Sequence, residues 1–210
     1  EENYFFRWSK YQDALLKHYE ANPDFVVPEH RLNEIRSFVS GGLQDFSISR
    51  LKEKMSWGVP VPGDEAHVMY VWFDALVNYV STLGWPASGD FEKFWPGTQV
   101  AGKDNLRQQS AMWQGMILSA GLPMSERIFI HGFITADGQK MSKSLGNVVN
   151  PHELVAQYGT DTVRYYLASL PAYEDGDYTR KQFEETYTAK LVNGIGNLAA
   201  VLNDVDFRRA

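Results

Sequence analysis

The stretch RIFIHGFI, Arg127 to Ile134, restricts the fold more than any other part of the chain. Its apolar residues run together instead of alternating with polar ones. That predicts one strand over 127–134 in a sheet covered on both faces. Upstream, GTQVAGKD predicts a short strand over 98–101 that breaks at Gly102. Between the two, NLRQQSAMWQGMILSA predicts a helix capped by Asp104 and closed by Gly121 and Pro123. Strands alternating with helices predict an α/β fold with a parallel sheet, followed by a helical part.

The helical part follows from spacing. Asn150-Pro151-His152-Glu153 offers an N-cap, a proline at the first helical position and a capping-box acid. Tyr158-Gly159-Thr160-Asp161 ends that helix and starts another that runs through Leu170. From Thr179 a long helix is expected, with Phe183, Tyr187, Leu191, Ile195, Leu198 and Leu202 along one side. At the other end, Phe5, Trp8, Leu15 and Tyr19 predict a helix over 4–20, stopped at Asn22-Pro23. A second helix should start near Pro28, bury Leu32, Ile35 and Phe38, and end at Gly41-Gly42. HVMYVWFDAL should begin as a strand at His67 and turn helical near Asp74. An apolar stripe so close to Glu1 reads as entry into the middle of a fold.

Composition narrows the chemistry. The 210 residues are 44% hydrophobic and 14% aromatic, enough for a packed core and against disorder. The absence of cysteine excludes disulfides, thiolate catalysis and Cys-ligated zinc, and suits a cytoplasmic protein. No apolar run approaches the ~20 residues of a membrane span, and EENYFFRWSK does not read as a signal peptide, so no membrane is expected. With 20 basic and 26 acidic side chains the net charge is −6, so any nucleic-acid contact must be local.

Directly after the apolar run comes GQKMSKSLGNVVNP, Gly138 to Pro151. In α/β sheets ligands bind beyond the carboxyl ends of the strands, so GKDN and HGF are expected on one crevice, with the lysine loop leaving its rim. A mobile cation with hydroxyls and glycine suits a polyphosphate that becomes more negative as it departs. Lys143 is the natural candidate, supported by Lys140 and Ser142; the plain alternative is a solvated turn.

Lys140-Met141-Ser142-Lys143-Ser144 matches the second signature of the class I aminoacyl-tRNA synthetases, and it follows HGFI as in that family. A five-letter match arises by chance in on the order of one in ten thousand chains of this length. With ENYFFRWSKYQ, SRLKEKMSWGVPVPGD, VMYVWFDALVNYV, VAGKDN and YGTDTVRYYLA, essentially the whole chain resembles the methionyl-tRNA synthetases. The resemblance implies activation of methionine by ATP (with Mg2+, as the substrate complex) to methionyl-adenylate, and transfer to tRNA(Met). It implies ATP-binding roles for Gly102, Asp104, His131, Gly132, Ile134 and Lys143, with Lys143, Lys140 and Ser142 acting in catalysis. Asp104 is expected on the ribose hydroxyls, a role compatible with helix capping. Methionine is expected between Trp72, Ala75, Leu76 and Tyr79 on one side and Asn105 and Gln109 on the other. An aromatic wall suits a polarizable thioether. Core packing is the alternative for Trp72 and Tyr79.

Two departures stand out. Where many members carry a histidine after GKD, this chain reads Gln108-Gln109-Ser110. The first signature, His-Ile-Gly-His, and the zinc-knuckle cysteines do not occur in these residues. Residues 1–175 are therefore expected to be the C-terminal half of a Rossmann-type catalytic domain. Residues 176–210 should be a linker and the first helix of an anticodon-binding bundle. The N-terminal half carrying the first signature is expected as a partner, and the piece alone is expected to be inactive. The alternatives are a ligase for leucine, valine or isoleucine, and a non-catalytic RNA-binding or assembly module.

Overall fold

The computed structural model describes residues 2–87 and 89–207. The chain divides into two compact units, Glu1–Ile130 and His131–Ala210.

The first unit opens with β1 (Phe5–Phe6), paired antiparallel with β3 (Phe46–Ser47). A 3-10 turn, Trp8–Tyr11, leads into α1 (Gln12–Ala21). The helix expected over 4–20 is thus a strand and a tight turn for its first half. Adjacent aromatics favour extended backbone, and here the Phe6 ring is buried against Phe46 and Phe73. After β2 (Val26–Val27), α2 (Glu29–Ser40) buries Leu32, Ile35 and Val39. Phe38, expected inside, is only half-buried, with the Arg107 guanidinium 4.3 Å from its ring centroid.

A three-stranded antiparallel sheet follows, with β6 (Asp64–Met69) between β4 (Ser49–Leu51) and β5 (Pro60–Val61). The chain turns helical at α3 (Val71–Ala75), three residues ahead of the expected Asp74, and continues through α4 (Asn78–Ser81) and α5 (Phe91–Phe94). β7 (Thr98–Gly102) then pairs with β8 (Arg127–His131), and β8 runs parallel to β2, in the order β2-β8-β7. Ile128 and Ile130 of β8 are fully buried and Phe129, on the other face, is half-buried. That is the covered strand its composition predicts. The connection between β7 and β8 is helical: a 3-10 turn at Lys103–Asn105, a π-helical stretch at Gln108–Met112 and α6 (Trp113–Ser119). The core of this unit gathers Leu15, Tyr19, Ile35, Trp113, Ile117 and Ile130, among others.

The apolar run does not continue as one strand to Ile134. A Cβ at Gly132 would lie 2.1 Å from the Glu174 carbonyl oxygen and 2.7 Å from the Asp175 nitrogen, so the backbone of 174–175 passes where a ladder neighbour would otherwise run. Beyond it, in the second unit, β9 (Ile134–Ala136) pairs antiparallel with β10 (Gln139–Lys140) and parallel with β11 (Gly176–Tyr178). Asp137 and Gly138, both at positive φ (51° and 74°), make the two-residue turn of this hairpin. The segment expected to be a linker from residue 176 therefore opens with a paired strand.

The α7 helix (Pro151–Tyr158) starts as expected: the Asn150 side chain accepts from the His152 N–H and donates to Glu153. Gly159, at φ 83°, separates it from α8 (Thr160–Ser169). Thr179 caps the last helical run, α9 (Arg180–Thr186), a π-helical stretch at Tyr187–Gly196, and α10 (Asn197–Phe207). Of its expected stripe only Phe183 is buried, in a second core with Leu154, Val163, Tyr166 and Tyr178. Ile195, Leu198 and Leu202 are 64%, 60% and 57% exposed, so the periodicity marks a face and not a core. Among the described residues no helix is long and apolar enough to cross a membrane.

Replacing Gly132 by alanine should lower the thermal unfolding midpoint of the full-length protein, by an amount corresponding to at least the ~1–3 kcal/mol of an overpacked site. The obstacle is backbone that cannot rotate away. A Gly132→Ala protein as stable as the parent would show that the 174–175 segment is free to move aside.

Candidate functional site

The expected site residues fall into two groups, one in each unit. In the first, Gly102 ends β7 in extended backbone (φ −68°) and Asp104 is exposed within the 3-10 turn. Asp104 lies inside this turn, whose N-cap position is Gly102. Its Oδ1 accepts from the Asn105 side chain at 3.1 Å, and the tight turn replaces the capped α-helical start.

The two predicted walls of an amino-acid pocket meet through their aromatics. The Tyr79 ring lies 5.9 Å from that of Trp113, and Leu76 is buried in the same core cluster as Leu106 and Ala111. For Tyr79 the core-packing alternative is therefore partly realised. Trp72 behaves differently: it is half-buried, takes no part in that cluster among the described residues, and is followed one turn later by exposed Ala75. Gln109 sits on the π-helical stretch and is only 5% exposed. Its Oε1, the Gln108 Oε1, the Ser110 Oγ and the Trp113 Nε1 are all buried with no hydrogen-bond partner among the described residues. Four unpaired polar atoms within six residues are unusual, since buried polar groups are ordinarily paired.

In the second unit, His131 is exposed and its Nδ1 lies 2.7 Å from the Gly132 carbonyl oxygen. Gly132 serves the close passage of 174–175, and Ile134 is 44% exposed at the start of β9. Ile134 and Met141 border an apolar cavity of about 220 Å³ with Tyr166 and Phe183.

The lysine loop is a folded turn. The Ser142 N–H donates to Asn147 Oδ1 at 2.9 Å, and Asn147 Nδ2 donates to the Lys140 carbonyl at 3.2 Å. Ser142 Oγ and Ser144 Oγ lie 2.6 Å apart, and the Leu145 N–H reaches Ser142 Oγ at 3.3 Å. The Lys140 ammonium sits 4.4 Å from the Phe133 ring centroid. Lys143 is exposed and its ammonium has no protein partner among the described residues. Sequence reading missed Asn147, whose signal was only an Asn after a positive-φ glycine, Gly146 at 66°.

Below the loop, Asp177 holds the hairpin. Its Oδ1 accepts from Thr135 Oγ1 at 2.6 Å and from the Gly138 N–H at 2.8 Å. The Thr135 hydroxyl first and the Gly138 amide second hold its carboxyl below the ordinary value of 3.8. Among the described residues no group of three or more His, Cys, Asp or Glu is placed to hold a metal ion.

Known proteins resemble this arrangement closely. The family profile described as tRNA synthetases class I (M) matches residues 1–202. The methionine-tRNA ligase of Mesorhizobium japonicum is 51% identical over 201 residues, covering 95% of this chain and 39% of the relative. That of Thermotoga maritima is 47% identical over 201 residues, covering 94% and 32%. A crystal structure of Mycobacterium tuberculosis methionyl-tRNA synthetase bound by methionyl-adenylate matches with a TM-score of 0.90 at 47% identity, over 95% of this chain and 40% of that one. The apo form of the Mycobacterium tuberculosis enzyme gives 0.84 at 44% identity, over 95% and 39%. The chain thus spans about two fifths or less of the length of these relatives, 39% for the first of them.

The Asp177 anchor makes a pH prediction. A carboxyl depressed in the folded state stabilises above its unfolded value and stops doing so as pH falls through the folded value. Protection of the Gly138 amide from hydrogen exchange should therefore hold down to about pH 3.8 and fall off below it. In Asp177→Asn it should be reduced at every pH. Unchanged protection in both tests would mean that the turn holds itself.

Proposed function

The chain belongs to the class I tRNA synthetases (M), and on that footing we propose that it is part of a methionine-tRNA ligase. The enzyme joins methionine to ATP, bound with Mg2+ as the substrate complex, releases pyrophosphate, and passes the methionyl group to tRNA(Met). The observation that carries this reading is the Lys140–Ser144 turn: Asn147 bonds its first and third residues, and the Lys143 ammonium has no protein partner among the described residues. A cation held ready but unpaired is what a departing pyrophosphate requires, because charge develops there only in the transition state. Lys140 and Ser142 support it.

The remaining roles belong to the same proposal. Gly102 and Asp104 in the first unit, and His131, Gly132 and Ile134 in the second, take the adenosine part. Trp72, Ala75, Leu76, Tyr79, Asn105 and Gln109 take the methionine side chain. Half-buried Trp72, outside the core, and the unpaired Gln109 carboxamide oxygen support an amino-acid pocket over plain packing. The methionyl-adenylate bound to the similar Mycobacterium tuberculosis enzyme supports the same chemistry.

We read the chain as the KMSKS-bearing, C-terminal half of the catalytic domain, with residues 176–210 leading into the anticodon-binding part; cytoplasmic location goes with that reading. The 39% share of the relative supports a part of such an enzyme without saying which part. The matches lend no support to an N-terminal half as a separate partner. The groups this chain lacks belong to the rest of the longer enzyme.

In the complete enzyme, Lys143→Ala should slow methionine-dependent ATP–pyrophosphate exchange by roughly 100- to 1000-fold, the ~2.7–4 kcal/mol typical of one such contact. Methionine binding should change far less. An unchanged exchange rate would reduce the loop to a surface turn. Gln109→Ala should weaken methionine more than its hydrocarbon analogue norleucine, by less than the ~0.5–1.5 kcal/mol of a typical net hydrogen bond. Activation kinetics with both amino acids read the difference, and equal losses would mean that Gln109 does not sense sulfur.

A further inference from the structure

The helical connection between β7 and β8 is buried on nearly every side: Gln109, Ser110, Ala111 and Trp113 to Ile117 are all inside. Within it the Trp113 N–H reaches back five residues to the Gln108 carbonyl, one more than in an α-helix. Such wide turns redirect the side chains around them and are frequent at functional sites.

This one is held from outside its own ladder. Three successive carbonyls accept side-chain donors: Gln109 from Gln114 Nε2 at 2.9 Å, Ser110 from the Tyr19 hydroxyl at 2.6 Å, and Ala111 from Trp8 Nε1 at 3.2 Å. Gln114 does more than donate once. Its Nε2 also reaches Ser125 Oγ at 3.0 Å, and its Oε1 accepts from the Ser125 N–H at 3.1 Å. Ser125 Oγ in turn donates to Gln99 Oε1 at 2.5 Å. Gln99 lies on β7, three residues before Gly102, and Ser125 lies two residues before β8.

A single carboxamide, fully buried, thus ties the wide turn to the strand that ends at Gly102 and to the segment that feeds β8. Its own amide is fully engaged, whereas the Gln109 amide five residues earlier keeps an unpaired oxygen. The two glutamines differ: one is used up in the fold, and the other keeps an acceptor oxygen unpaired among the described residues.

We infer that Gln114 is a positioning residue for Gln109, fixing the wide turn and with it the direction in which Gln109 presents its amide to the bound amino-acid side chain. This rests on the reading of Gln109 as part of the methionine pocket.

The test uses the complete enzyme and methionine-dependent ATP–pyrophosphate exchange. Gln114→Met keeps the length of the side chain and removes every hydrogen bond. It should raise the KM for methionine by about 2-fold and no more than Gln109→Ala does, because the contact it acts through is worth less than a typical hydrogen bond, with the KM for ATP unchanged. In a Gln109→Ala background it should add no further rise, because the group it acts through is gone. Equal rises in both KM values, or additive effects in the double variant, would overturn the inference and leave Gln114 as ordinary core. If Gln114→Met does not fold, Ser125→Ala, which keeps the Ser125 N–H bond, should show a methionine-only rise no larger than that of Gln109→Ala; no rise would equally overturn it. Failure of the pocket reading is separately visible, as Gln109→Ala alone would then leave the methionine KM unchanged.

Discussion

The wide helical turn at 108–112 is the constraint around which the first unit is arranged. Its carbonyls at 109, 110 and 111 lie deep in the protein, where an unmatched polar group costs about 1–3 kcal/mol, and each receives a side-chain donor. Two of those donors come from the beginning of the chain. Glycine at 115 leaves room for Trp8 on its way to Ala111: a Cβ there would stand 3.0 Å from Trp8 Cδ1, a tight contact. Tyr19 reaches Ser110 from the last half of α1, and burial raises its phenol pKa well above the ordinary value, so it remains a donor. The strand at Phe5–Phe6 and the tight turn after it are the path that delivers Trp8 to this contact.

The second unit solves a different problem, that of holding a short, charged turn steady without burying it. Asp177 grips the hairpin below it, and Asn147 closes the loop by bonding near both of its ends. Met141 turns to the apolar cavity bordered by Tyr166 and Phe183, which anchors the middle of the loop through packing. Lys143 is exposed with the rest of the turn, and among the described residues its ammonium has no protein partner, whereas the Lys140 ammonium lies over the Phe133 ring.

Much of this was legible in the residues, and the parts that were not share a cause. The strand at 127–131, the Asn150 cap and the lysine motif are local: their signals sit within a few neighbouring letters. The wide turn is not local. Hydrophobic spacing shows that 105–119 is helical, but the extra residue in the turn depends on Trp8, Tyr19 and Ser125, which are distant in sequence. The break at Gly132 likewise depends on 174–175, forty residues away in the chain. Asp104 looked like a cap because Asp before Asn-Leu usually is one, and the 3-10 start removed the geometry that a cap needs. The apolar stripe of the last helix is legible as one face, but spacing reports which residues share a side and not what covers it.

The same distinction bears on which polar atoms matter. A protein that could pair Gln108, Gln109, Ser110 and Trp113 internally would gain stability by doing so, and a few residues further on Gln114 shows that this fold can satisfy a buried amide completely. A buried polar group left unmatched costs on the order of 1–3 kcal/mol, and four such atoms cluster here among the described residues. Such concentrations of unmet demand persist where a site must stay receptive, since an amide already committed to the fold has nothing left to offer a substrate. On the proposed reading the thioether sulfur of methionine, a weak acceptor, can take only a donor such as the amide N–H, and leaves the carboxamide oxygens for other partners. A pocket that relied on one strong hydrogen bond would choose a different side chain. On the proposed reading, an aromatic wall and an amide of fixed direction would share the discrimination, and the hydrogen bonds of Gln114 to the Gln109 carbonyl and to Ser125 are what would fix that direction.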